Sequence, residues 1–136
     1  MNGNEHGGGC LCGAVKFRMN ADPLWVSYCH CQSCRRHTGS AAATFAGFAE
    51  NTVSFTEGMA KQFESSPEVW RSFCGRCGSP ISYRAARFPG EVHFYIGAMD
   101  RPEQYVPQAH VHYGERVPWF DTKDELPRFD RTATGG

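Results

Sequence analysis

Seven cysteines in three tight clusters constrain this 136-residue chain more than any other feature. They stand as Cys10-Leu11-Cys12 before Gly13, as Cys29-x-Cys31-x-x-Cys34, and as Cys74-Gly75-Arg76-Cys77 before Gly78. An odd number argues against a closed set of disulfides, so the thiols read as metal ligands, reactive groups or core residues. The third cluster is the most specific. A C-x-x-C turn converges both sulfurs on one ion, and a glycine straight after it suits the left-handed backbone that such a turn often requires. A thioredoxin-like pair would open a helix in a βαβ setting, whereas here Pro80 and the strand-like "ISYRA" follow. A closed zinc site wants four ligands, and the C-x-C pair at a strand start is the best donor of the other two. Cys10, Cys12, Cys74 and Cys77 are therefore expected to hold a structural zinc. For Cys10 and Cys12 the plainer alternative is two small core residues on one face of "CLCGAVKF".

The middle cluster supplies three thiols, not four. Soft thiolates select zinc over magnesium or calcium, and three protein ligands plus one exchangeable position distinguish catalytic from structural zinc. Three readings stay open on spacing alone. Cys29, Cys31 and Cys34 can hold an open zinc; His30, or His37 at C-x-x-H spacing from Cys34, can close it; or the thiols carry no metal and are activated by Arg35 and Arg36.

Short alternating segments surround these clusters. In "AVKFRM", Val15, Phe17 and Met19 alternate with Lys16 and Arg18, the period of a half-buried strand. "LWVSYC", "AATFAGF", "TVSFTEG", "KQFESS", "VWRSFC", "PISYRA", "VHFYIGAM" and "QAHVHY" continue the series, most of them bounded by Gly, Pro, Asn or Asp. Only Gln32–His37 reads as a helix, and it can equally be a turn. An antiparallel all-β fold follows. The length suits one domain, placed over 8–129, and the polar, Gly-rich stretches 1–7 and 130–136 are expected to be flexible ends.

Composition narrows the partners. Fourteen Lys and Arg balance fourteen Asp and Glu, which argues against nucleic acid or an anionic membrane. No apolar run reads as a signal peptide or a membrane span, and a cytoplasmic location is expected. Among the other candidates, Trp25, Trp70, Trp119 and the ten Phe are expected in the core. His93 reads as a satisfied strand residue. His110 and His112 would share one face of a strand, as ligands, a proton relay or a silent pair. Arg35, Arg36, Arg84 and Arg87 are each able to meet a carboxylate, although a solvated face is the plainer reading. Ser40 follows the metal loop in a turn and is a weak candidate for ligand contact.

"GGCLCGAVKF", "CHCQSCRRHTGS", "FCGRCGSPISY" and "HVHYGERVPWF" with "DELPRF" together resemble the glutathione-dependent formaldehyde-activating enzyme (GFA) family, which also includes centromere protein V. The resemblance runs from Gly8 to Phe129, with all seven cysteine positions filled. It implies an all-β tent of antiparallel sheets and two zinc ions per chain. One would sit on Cys10, Cys12, Cys74 and Cys77. The other would sit on Cys29, Cys31 and Cys34, a site associated with catalysis. The implied activity is that of a carbon–sulfur lyase joining glutathione, or a similar small thiol, to formaldehyde or a related aldehyde, or cleaving the adduct. No substrate-binding residue is identified. A non-catalytic, zinc-stabilised protein-binding module is the rival from another class. Chromatin association is a third reading, and the neutral charge and missing basic tail count against it.

Overall fold

A computed structural model of the chain describes residues 5–133, so the expected flexible ends at 1–4 and 134–136 lie outside the described residues. Each alternating segment of the sequence forms a strand: β2 (Lys16–Met19), β3 (Trp25–Cys29), β4 (Ala43–Ala49), β5 (Val53–Glu57), β6 (Lys61–Ser66), β7 (Val69–Phe73), β8 (Pro80–Ala85), β9 (Glu91–Tyr95) and β10 (His110–Val111). The helical candidate is α1 (Gln32–Thr38), and a further strand, β1 (His6–Gly9), precedes them all. The fold is mostly β. "VHFYIGAM" ends early as a strand, because Ile96–Ala98 turns into a short 3-10 helix.

Contacts gather into two units, each built from two separate stretches of chain. No linker is visible in the sequence because the chain passes between the units at Trp25, Phe45 and Tyr105 without a change of composition.

The first unit takes the residues up to Trp25 together with Ala46–Tyr105. One sheet runs β1-β2-β5, and further strands follow in the order β4 from Ala46 on, then β9-β8-β7-β6. β2 shows the predicted alternation: Phe17 and Met19 are buried, and Lys16 and Arg18 are exposed. Phe17 stacks on Phe94 at 4.5 Å between centroids and meets Phe55 edge-on at 6.0 Å, while Phe48 meets Phe94 edge-on at 6.1 Å. Aromatic contacts of this kind each add about 0.5–1.5 kcal/mol beyond the area they bury.

β1 corrects part of the expected N-terminal flexible end. His6 and Gly7 are strand residues, and His6 is buried, with Nδ1 2.6 Å from the Tyr105 hydroxyl and Nε2 2.9 Å from Asp22. A Cβ on Gly8 would stand 2.3 Å from the Ala98 carbonyl oxygen and 2.6 Å from the Phe17 ring. The glycines that look like a flexible tail are there because a strand passes tightly over Phe17.

The second unit takes Val26–Phe45 and the residues from Val106 onward. Its strands run β10-β3-β4. Here the antiparallel expectation needs a correction, because β10 lies parallel to β3, with His110 beside Tyr28 and Val111 beside Cys29. The long path between them lets β10 return in the same direction, as a parallel pair requires. At the C-terminal side, the His112 amide donates to the Arg131 carbonyl and Thr132 is buried, so 130–133 is held rather than loose.

Candidate metal centres

The first cluster forms where two tight turns meet within the first unit. After β1 the chain turns at Cys10–Gly13, with Gly13 at φ +83° and its amide on the Cys10 carbonyl. The second turn follows β7. Gly78, at φ +80°, donates to the Cys74 carbonyl at 2.8 Å, and the Arg76 and Cys77 amides donate to Cys74 Sγ at 3.3 and 3.4 Å. Ser79 ties the turns together: its Oγ accepts from the Leu11 amide and lies 3.1 Å from Cys77 Sγ. That hydroxyl, with the Ser79 backbone, holds the Cys77 thiol down to about 5.

The four sulfurs lie within 4.8 Å of one another. Cys10 and Cys12 are 3.7 Å apart at Sγ, and Cys12 and Cys74 are 3.8 Å apart. A tetrahedron with metal–sulfur bonds of about 2.3 Å has edges of about 3.8 Å, so the donor set fits one four-coordinate ion.

The second cluster lies at the junction of β3 and α1. Cys29 ends the strand, Cys31 is the N-cap of the helix, and Cys34 is its only buried residue. Cys31 Sγ accepts from the Cys34 amide at 3.2 Å, and Cys29 and Cys34 approach to 3.6 Å at Sγ. The helix is closed behind them by Gly39 at φ 72°, whose amide meets the Arg35 carbonyl at 2.7 Å. Crowding decides the charge. The Cys29 and Cys34 thiols converging on Cys31 hold it down to about 2, and the same contact, helped by burial, pushes Cys29 well up. A second thiolate in this space needs a cation, which fits a metal-binding role.

Among the described residues, no His, Asp or Glu joins the three sulfurs within that 4.8 Å limit. Both histidines weighed as a fourth ligand, His30 and His37, stand outside the cluster.

His30 faces elsewhere. Its Nε2 lies 2.8 Å from His110 Nδ1, and His110 Nε2 lies 3.1 and 3.2 Å from the two Asp124 oxygens. The carboxylate accepts from His110 Nε2–H, so His110 Nδ1 accepts from His30 Nε2–H, and both tautomers follow. Both rings are fully buried, stacked with each other and beside Tyr28 and Tyr113. Burial, then His110, holds the His30 imidazole down to about 4, so it is neutral. Its Nδ1 has no hydrogen-bond partner among the described residues. Asp124 is kept well below the usual carboxylate range, first by the Thr122 hydroxyl and then by the Leu126 amide and His110.

His112 departs from the expected shared face. β10 ends at Val111, and His112 adopts the left-handed conformation, φ 52° and ψ 36°. Its Nδ1 lies 3.3 Å from one Glu115 oxygen, while the other accepts from the Gln32 amide at the start of α1, at 3.1 Å. Arg35 donates to the His30 and Glu115 carbonyls rather than meeting a free carboxylate.

Arg84 lies over Trp70, and Arg87 lies over Phe88 and donates to the Tyr83 hydroxyl. Arg36 and Ser40 are exposed. Trp119 is exposed as well, against the expectation that it lies in the core. Trp25 is half-buried, donating to Glu91 and meeting His93 edge-on. Glu115 and Asp124 stand inside segments that carry the family resemblance, yet their roles, like that of Thr122, had no signal of their own, since each matters only through a partner brought beside it by the fold.

The GFA family model, described as glutathione-dependent formaldehyde-activating enzyme, matches residues 5–115. Among curated proteins, the chain is 31% identical over 94 residues to an uncharacterised lyase of Schizosaccharomyces pombe. That match takes in 69% of this chain and 66% of the relative, just under two thirds of its length. It is also 29% identical over 124 residues to a Halomonas elongata protein named for glutathione-dependent formaldehyde activation, covering 84% of this chain and 78% of that one. Among solved structures, a Rhodobacter sphaeroides protein superposes with a TM-score of 0.59 at 19% identity, over 90% of this chain and 98% of the other, which is a likeness of fold.

Proposed function

The chain belongs to the glutathione-dependent formaldehyde-activating enzyme family, and on that premise we propose that it is a zinc-dependent carbon–sulfur lyase. It joins a small, glutathione-like thiol to formaldehyde or a related aldehyde, or cleaves the adduct. The observation that carries this reading is the contrast between the clusters. Four sulfurs gather within 4.8 Å of one another at Cys10, Cys12, Cys74 and Cys77, and three gather at Cys29, Cys31 and Cys34 with no His, Asp or Glu joining them among the described residues. The first suits a structural zinc; the second suits a zinc that keeps a position for substrate. Zinc held by the three cysteines supplies a site where a thiol binds as its thiolate at neutral pH, ready to add to a carbonyl carbon.

The chain's own residues do the rest. Cys31 caps α1 and so fixes its sulfur relative to Cys34. Arg35 pins the His30 carbonyl, which lies between two of the ligands. The buried His30–His110–Asp124 chain holds the intervening residue from behind, so the Cys29–Cys31 segment has little freedom to rearrange. Such support keeps a site preorganised.

The test is zinc content on reduced protein, repeated during titration with glutathione. Two zinc ions per chain, one easily chelated and protected by the thiol, are the expected result. A single tightly held zinc indifferent to glutathione would overturn the reading.

A further inference from the structure

His112 is a partly exposed histidine that neither metal cluster nor the buried relay uses. It occupies the left-handed region at φ 52°, which strains a residue with a Cβ and is kept only where surroundings impose it. The surroundings are specific. In the parallel ladder Val111 lies beside Cys29 and its carbonyl accepts from the His30 amide, so the next residue, His112, emerges alongside the Cys29–Cys31 segment. Glu115 then fastens the turn to the metal loop, with one carboxylate oxygen on the Gln32 amide and its carbonyl on Arg35. Its other oxygen meets His112 Nδ1. With Nδ1 turned toward a carboxylate, the tautomer that carries its proton on Nδ1 leaves a lone pair on Nε2. The side chain retains 18% exposure, unlike His30 and His110, so a ligand can reach it.

We propose that His112, oriented by Glu115, is the acid–base residue that binds the oxygen of the thiol–aldehyde adduct. The proposal rests on the lyase reading above and adds the group that handles the proton. In cleavage, Nε2 takes the hydroxyl proton of R–S–CH2–OH. The O–H electron pair becomes the carbonyl π bond, the C–S bond breaks, and its electron pair leaves with sulfur as thiolate. The products are imidazolium, aldehyde and thiolate, and synthesis runs the same steps backward. A neutral Nε2 acceptor at this oxygen would also make the site prefer ligands that carry a hydroxyl one or two carbons beyond sulfur over purely alkyl ones.

The experiment uses the zinc-loaded full chain and two stable glutathione thioethers, S-(2-hydroxyethyl) and S-propyl. Wild type should bind the hydroxylated one about tenfold more tightly, as a hydrogen bond to a partly buried group gives. His112→Asn, which tolerates the left-handed backbone, should bring the two within about twofold at unchanged zinc content. His112→Gly serves if the Asn variant misfolds. Glu115→Gln should fall between. No preference in wild type, a preference that survives in the variants, or no binding of either thioether would overturn the assignment. Exchange between glutathione and formaldehyde, followed by NMR on the same wild-type protein, separates the two ideas. Accelerated exchange without a hydroxyl preference sinks His112 alone. Absence of acceleration sinks the lyase reading and the assignment with it.

Discussion

At the scale of single residues, the two clusters should respond differently to the same substitution. Cys31→Ser keeps an oxygen where serine is itself a preferred N-cap, so α1 should persist and the melting temperature should move by no more than a few degrees. One zinc and the thiol response should be lost, which zinc analysis with glutathione titration checks. Cys74→Ser removes a buried thiol, the proposed structural-zinc ligand, that also accepts from two backbone amides, and should destabilise the chain by about 3 kcal/mol or more in urea melts. Asp124 offers a pH test. Its carboxyl is held below its unfolded value by Thr122, Leu126 and His110, so the folded state binds the proton less readily than the unfolded state. The resulting stability is present above the unfolded carboxylate range, around pH 4, and is lost as pH falls through the folded value. Asp124→Asn should therefore cost stability at pH 7 and flatten the decline of the urea midpoint below about pH 4. These residues differ in how legible they were. Cysteine spacing announced which sulfurs would converge, whereas Asp124 reaches His110 across irregular chain that carries no periodic signal.

At the scale of elements, two glycines separate strain from packing. Gly39 closes α1 with a left-handed backbone in open space, so Gly39→Ala should cost only the backbone term, about 1 kcal/mol by denaturant midpoint. Gly8 has ordinary neighbours in a strand but no room, since an added Cβ meets the Ala98 backbone at 2.3 Å. Gly8→Ala should cost about 2–3 kcal/mol and loosen β1 in hydrogen exchange. The strands from β2 to β10 were readable because alternation is a local property of side chains on a pleated ribbon. β1 was not readable. "HGGG" has no side chains to alternate, and its strand character comes wholly from β2 and Phe17 beside it. His112 failed as a strand residue for a related reason: contacts to Glu115 and Arg131 impose its left-handed turn, not the sequence of β10.

At the scale of the whole molecule, metal removal should proceed in two steps. The first cluster joins a turn near the N-terminus to one more than sixty residues further on, closing a long loop. Mild chelation should take the zinc of the middle cluster with little change in melting temperature. Exhaustive chelation should then lower it by at least about 10 °C, a loss of several kcal/mol in a chain of this size. Calorimetry with parallel zinc analysis reads both steps, and a single concerted loss would contradict separate structural and exchangeable sites. The described residues include no helix long and apolar enough to cross a membrane.

Sequence alone determined what local chemistry can specify: which cysteines group by spacing, where most strands and the short α-helix lie, and which family the chain resembles. Tertiary structure alone decided what depends on residues distant in sequence. Among the described residues it brought no His, Asp or Glu to the middle cluster, turned His30 toward His110 and Asp124, laid β10 parallel to β3, and set His112 against Glu115 beside the Cys29–Cys34 loop. The physical reason is range. A turn or a strand period is set by neighbours a few residues away, whereas a buried hydrogen-bond chain and the direction of a side chain are set by whatever the completed fold brings against them.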